Sequence, residues 1–199
     1  MPKKEAINSL LVGFFVKFAL ARIADENKFT QIQRKFGILP IMYAIAFTGN
    51  SNSGKTTLIE KLSLLLSPTK RVAIIKHDPK DKAIWDTPGK DSDRFYKSGA
   101  DIAVLGNTQS VLRFHKSLEI TQIKSFFATY DYLFVEGLKE LPLPRICVAR
   151  GHFDSRFLPF IQAIATDSSL QNIPPNIALL DINNPQSILQ WIHQNLQEI

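Results

Sequence analysis

The 199-residue chain has a single cysteine, Cys147, so it can form no internal disulfide and offers no second thiolate at metal-site spacing. Cys147 sits in the apolar run Arg145-Ile146-Cys147-Val148-Ala149, which predicts a buried, inert strand residue and fits a reducing, cytoplasmic setting. Membrane-spanning runs are missing as well. The stretch Leu10 to Ile23 falls short of the ~20 apolar residues a spanning helix needs, and Lys17 and Arg22 interrupt it. Nor is the body strongly charged. The formal charge of +6 comes mostly from Lys3, Lys4, Lys17, Arg22, Lys28, Arg34 and Lys35, set against Glu5, Asp25 and Glu26. Beyond residue 41 acids and bases are nearly balanced, so charge alone marks out no polyanion-binding surface and no nucleic-acid partner is expected. Hydrophobic residues at 45% and charged residues at 21% exclude a disordered or fibrous chain.

Residues 1–41 stand apart from the rest. Lys3-Lys4, the apolar stretch and Ala19-Leu20-Ala21 imitate a secretory signal, but Lys17 breaks the apolar core. Two readings stay open. Leu10, Leu11, Phe14, Phe15 and Phe18 share one helical face, as in an amphipathic helix packed on the body or a partner. Met42, just before the first convincing strand, instead suggests that residues 1–41 lie upstream of the true start. The segment is assigned no chemistry, and the expected domain runs from 42 to 199.

Within that domain strands and helices alternate. Apolar, β-branched runs predict buried strands at Tyr43–Thr48, Arg71–His77, Tyr132–Val135, Arg145–Ala149, Ala163–Thr166 and Ile177–Leu180. Helical spacing covers Thr56–Leu66, Ser92–Ser98, Leu118–Thr129 and about Pro185–Gln197. Asp101–Gly106 and Ser110–His115 are close enough for a hairpin, and Asp78–Ser92 is a long polar loop. This order predicts an α/β fold, a mostly parallel sheet with helices on both faces.

The segment Gly49-Asn50-Ser51-Asn52-Ser53-Gly54-Lys55-Thr56 fits G-x-x-x-x-G-K-[ST], between a predicted strand and a predicted helix. Two glycines let the backbone curl so that successive N–H groups point into one concavity and cradle phosphate oxygens. The helix after the loop adds its N-terminal partial charge. Lys55 would reach the β/γ-phosphates and the Thr56 hydroxyl would take a place on Mg²⁺. A second element is Tyr132-Leu133-Phe134-Val135-Glu136-Gly137, where an apolar strand ends in a carboxylate. Glu136 can anchor Mg²⁺ or orient an attacking water, or it can simply cap the strand in solvent. In the loop after the second strand, Asp78, Asp86 and Asp91 are candidate metal-holding acids and Lys90 a candidate phosphate contact, though such residues are often no more than solvated loop positions.

The order GNSNSGKTTL, IKH, DTPGKDSDRFYKSGAD, DYLFVEGLK, IATD and ALLDINN resembles the molybdopterin-guanine dinucleotide biosynthesis protein B family, MobB, from about Tyr43 onward. The resemblance implies a P-loop NTPase fold, a homodimer and a GTP-binding adapter with feeble GTPase activity. Such an adapter would assist a MobA-type molybdenum cofactor guanylyltransferase that attaches GMP to molybdopterin. By position, Gly49 to Thr57 match the family's GTP phosphate loop, so Thr57 joins the site. Asp86 to Ser92 match its signature loop, including Lys90, Asp91 and Ser92, and Glu136 matches its Walker-B-like acid. The family's histidine-rich run after Lys-His is replaced here by Asp78-Pro79-Lys80-Asp81.

Guanine preference cannot be read from the residues. The N-K-x-D box is missing, since Asn27-Lys28-Phe29-Thr30 lacks the acid. Asp167 can accept from guanine N1 and N2, or serve as a turn or cap residue. A P-loop small-molecule kinase is the alternative; it needs an arginine-bearing lid, and Asp78–Asp93 contains no arginine.

Overall fold

The computed structural model of the chain describes residues 42–196. The expectations for residues 1–41, and for Gln197 at the end of the predicted C-terminal helix, lie outside them. Among the described residues, eight strands and four α-helices run in the order β1 (Tyr43–Thr48), α1 (Lys55–Leu66), β2 (Val72–Lys76), α2 (Asp91–Lys97), β3 (Ile102–Leu105), β4 (Ser110–Arg113), α3 (Ile120–Phe126), β5 (Tyr132–Glu136), β6 (Arg145–Ala149), β7 (Ala163–Thr166), β8 (Ala178–Asp181) and α4 (Pro185–Asn195). A 3₁₀ turn, Ser155–Phe160, which the sequence pattern did not suggest, precedes β7. The main sheet has six strands in the order β2-β5-β1-β6-β7-β8, and every pairing in it is parallel.

Period-two alternation sends the side chains of the central strands to opposite faces, and both faces are buried. Ile45, Phe47, Tyr132, Phe134, Ile146 and Val148 meet Leu58, Ile59 and Leu62 of α1 and Ile188 and Ile192 of α4. Fully burying each such aliphatic side chain contributes about 1.5–3 kcal/mol. The opposite face is closed by Phe127, Tyr130, Leu138, Leu141 and Leu143 over β1, β2 and β5. Over β6 and β7 it is closed by the 3₁₀ turn and neighbouring loops, through Phe153, Phe157, Leu158 and Ile161. Cys147 is buried there as the sequence implied, its thiol pushed up to about 12 by burial.

Two expectations shift. The strand read as buried at Arg71–His77 lies at the sheet edge, paired to β5 alone, and leaves Ile74 46% exposed. An apolar run reads alike for a central and an edge strand; only strand order separates them. The helix expected over Leu118–Thr129 is shorter, opening on a Glu119–Gln122 capping box and closing at Phe127.

The expected hairpin forms from β3 and β4, in a two-stranded sheet of its own. Helix α2 docks on it: the Tyr96 ring stacks on His115, and Arg113 lies over the Tyr96 ring at 3.7 Å. Arg113 also pairs with Asp86 at 3.5 Å, tying down the long loop.

Candidate functional site

The phosphate loop links the carboxyl end of β1 to the start of α1, the place where ligands collect in parallel α/β sheets. Gly49 is the residue the loop cannot exchange. At φ +136° it occupies backbone space that L side chains rarely adopt, and an added Cβ would lie 2.2 Å from the Val148 carbonyl oxygen. Gly54 caps α1 at φ +94° in the left-handed region. Asn52, at φ 60°, completes the curl.

The loop's side chains are arranged for an anion. Lys55 folds back so that Nζ donates to the carbonyls of Asn50 at 2.8 Å and Gly49 at 3.2 Å. Partial burial lowers the Lys55 pKa, with Glu136 nearby opposing the shift. The Ser53 hydroxyl is buried and has no hydrogen-bond partner. The start of α1 has neither a side-chain cap nor an acid in its first turn, so its N–H groups are not taken up by side chains of their own helix.

Glu136, at the carboxyl end of β5, comes to the loop across 80 residues of sequence. The Thr56 hydroxyl donates toward its carboxylate, with oxygen separations of 3.4 and 3.5 Å, and Lys76 Nζ lies 3.3 Å from Oε2. The parallel register explains the meeting, because β5 pairs with β1 from Tyr43↔Tyr132 to Phe47↔Glu136. A groove of about 340 Å³ opens beside the pair, lined by Thr56, Ile59, Leu64, Ile74, Lys76 and Glu136.

Behind Glu136 the chain turns sharply through Gly137 and Leu138, both at positive φ. Arg145, only 2% exposed, holds this turn by donating to the carbonyls of Gly137, Leu138, Lys139 and Leu141 at 3.1–3.3 Å. In the sequence, Arg145 is only the first residue of an apolar strand. A charged residue opening a buried strand was the available clue, since a buried guanidinium needs acceptors.

The other residues singled out in sequence are placed elsewhere. Asp78 accepts from the N–H groups of Ala83 and Lys80, which lower its pKa, and it lines a separate cavity of about 870 Å³ with Trp85, Tyr96 and Arg113. The structure does not join it to Thr56 and Glu136. Among the described residues no three His, Cys, Asp or Glu side chains cluster as a metal site. Lys90 and Asp91 are exposed at the start of α2, next to Ser92. The buried acid of this segment is Asp93, which accepts from the Gly89 N–H and pairs with Lys97, both at 2.8 Å. Asp167 comes directly after β7 and accepts from the Gly151 N–H at 3.1 Å and the Ser168 hydroxyl at 3.0 Å. These bonds, the Gly151 N–H foremost, hold its carboxyl below the usual range. Thr57 is exposed on the first turn of α1, and Asn50 and Ser51 are exposed on the loop.

A phosphate loop on a parallel sheet, with a strand-end glutamate against its threonine, is a nucleotide-binding arrangement. Comparison with known proteins narrows it. Residues 44–167 match the family model described as molybdopterin guanine dinucleotide synthesis protein B. The chain belongs to the MobB family. Among the family's curated members, the molybdopterin-guanine dinucleotide biosynthesis adapter protein of Haemophilus influenzae is 33% identical, over 75% of this chain and 89% of its own. The protein of the same name from Escherichia coli is 30% identical, over 77% of this chain and 93% of its own. The fold agrees: the structure of Bacillus subtilis MobB superposes with a TM-score of 0.60 at 21% identity, covering 78% of this chain and 98% of that one.

Proposed function

We propose that the protein is a GTP-binding adapter of molybdenum cofactor biosynthesis, assisting a MobA-type guanylyltransferase as GMP is attached to molybdopterin, and a slow GTPase by itself. The observation that carries this reading is the meeting of Thr56 and Glu136 at the mouth of a phosphate loop, in a chain of the MobB family. The names of its relatives support the adapter role.

The residues suit Mg²⁺. A hydroxyl and a carboxylate are hard oxygen donors, and Mg²⁺ on nucleotides characteristically takes one or two protein ligands beside phosphate oxygens and water. Bound there, the ion would neutralise charge on the β- and γ-phosphates. Thr56 and Glu136 would hold it, Lys55 would leave its loop carbonyls for the phosphates, and Gly49 to Thr57 would supply the cradle. Lys90, Asp91 and Ser92, at the start of α2, would add contacts to the nucleotide.

A homodimer belongs to the same reading. A two-stranded hairpin is marginal by itself, and this one exposes Val104, Leu105, Val111 and Leu112 beside Phe95 of α2. The edge strand β2 exposes Ile74. Apolar surface on a sheet edge and on a separate two-stranded hairpin fits a second copy.

The test is calorimetric titration of the full chain with GTP and ATP in Mg²⁺, then reconstituted GMP transfer to molybdopterin with and without it. Preference for GTP, slow turnover and faster GMP attachment are the expected results. Phosphoryl transfer to a small-molecule acceptor, with no effect on GMP attachment, would replace this reading with the kinase one.

A further inference from the structure

Arg150 comes directly after β6, on the opposite side of β1 from Glu136, because the sheet runs β5-β1-β6. Its guanidinium lies against the phosphate loop: a Cβ added to Gly54 would be 3.6 Å from both Nε and Nη2. Its ion-pair partner is Asp167, with Nε 3.8 Å from Oδ2, beyond hydrogen-bond distance. The side chain is half exposed. A planar fork of donors, not hydrogen-bonded to that partner, therefore stands beside the N-terminus of α1. Like-signed groups held this close gain from an anion between them. The buried, unpartnered Ser53 hydroxyl belongs to the same loop.

Topology indicates which anion group. Thr56 and Glu136 meet on the β5 side of the loop, where the β- and γ-phosphates would lie. Arg150 and Asp167 are on the β6–β7 side, and with Asp167 as the candidate acceptor for the base, the sugar and base would lie on that side. The phosphate nearest the sugar and base is the α-phosphate. We propose that Arg150 binds the α-phosphate of the nucleotide, turning to it from Asp167 and so loosening a charge pairing with Asp167 Oδ2, which then faces the base. Asp167 keeps its orientation in the exchange, since Oδ1 stays held by the Gly151 N–H and the Ser168 hydroxyl. The proposal rests on the nucleotide reading of the phosphate loop.

The experiment is titration of the full chain with GTP, GDP and GMP in Mg²⁺, for wild type, Arg150→Met, Arg150→Lys and Lys55→Ala, with far-UV circular dichroism on each. A contact to the α-phosphate predicts that Arg150→Met weakens all three nucleotides by a similar factor, roughly 10- to 100-fold. Arg150→Lys should recover part of the loss, because it keeps the charge without the fork. Lys55→Ala should instead spare GMP relative to GTP. Wild-type affinity for GTP in a folded Arg150→Met chain overturns the proposal, as does a loss that disappears with GMP. If Arg150→Met fails to fold, Arg150→Lys decides: weaker binding of all three nucleotides supports the contact, and unchanged binding overturns it. Failure of wild type to bind any nucleotide overturns the phosphate-loop reading as well.

Discussion

Two side chains carry the proposed chemistry, and each has a separable signature. Lys55 is the one loop cation, and in this structure its donors are engaged by the carbonyls of Gly49 and Asn50. Replacing it with alanine removes charge-assisted contacts to phosphate without emptying the core, so Lys55→Ala should lose on the order of 100-fold in GTP affinity. Its melting temperature should stay close to wild type. Calorimetry beside thermal unfolding checks both, and unchanged affinity in a folded variant refutes the site. Glu136→Gln keeps shape and removes the charge facing Thr56. Hydrolysis at saturating Mg²⁺ should fall ~10-fold or more while nucleotide affinity changes little. Equal rates for the two proteins would leave Glu136 a structural residue.

At the scale of the element, the loop's two glycines differ although the motif treats them alike. Both have positive φ, but only at Gly49 would a Cβ run into backbone, the Val148 carbonyl. Gly54→Ala should therefore cost about 1–2 kcal/mol of stability, the penalty for a left-handed residue. Gly49→Ala adds a steric clash and should cost about 3 kcal/mol or more. Urea unfolding of the two variants measures the difference, and similar midpoints would contradict it. The 3₁₀ turn over the second sheet face allows a pH experiment. Asp154 caps it, accepting from the Arg156 N–H and guanidinium, and these bonds hold its carboxyl down at about 2. A depressed carboxyl stabilises the fold above the unfolded value of about 3.9 and loses that contribution as pH falls toward 2. Asp154→Asn should thus be less stable than wild type near neutrality, with the gap closing between about pH 5 and pH 2. A gap independent of pH would show that the ionised carboxylate is not the stabilising form.

For the whole molecule, the proposed dimer has a direct check. Leu105, 78% exposed, and Leu112, 49% exposed, share one face of the hairpin. Leu105→Asp combined with Leu112→Asp should turn a dimer into a monomer in sedimentation experiments while far-UV circular dichroism stays unchanged. Persistence of the dimer would move the interface elsewhere, with the β2 edge and Ile74 the next surface to test.

Local order was legible in the sequence because it is a matter of period and punctuation. The strand–loop–helix at Tyr43–Leu66, the hairpin and the buried strands around Cys147 are written in apolar runs, glycine spacing and turn residues over a few positions. So is the phosphate loop, whose chemistry is carried by one contiguous segment. Tertiary structure decided which distant residues share that loop. Parallel register brought Glu136 to Thr56, and the β5-β1-β6 order put Arg150 against Gly54, while Asp78 was left at another cavity. It also put the apolar β2 at the edge and gave Arg145 the carbonyls of the turn behind Glu136. Period and composition describe a strand's own faces; strand order and register, set by how those faces pack together, choose its neighbours.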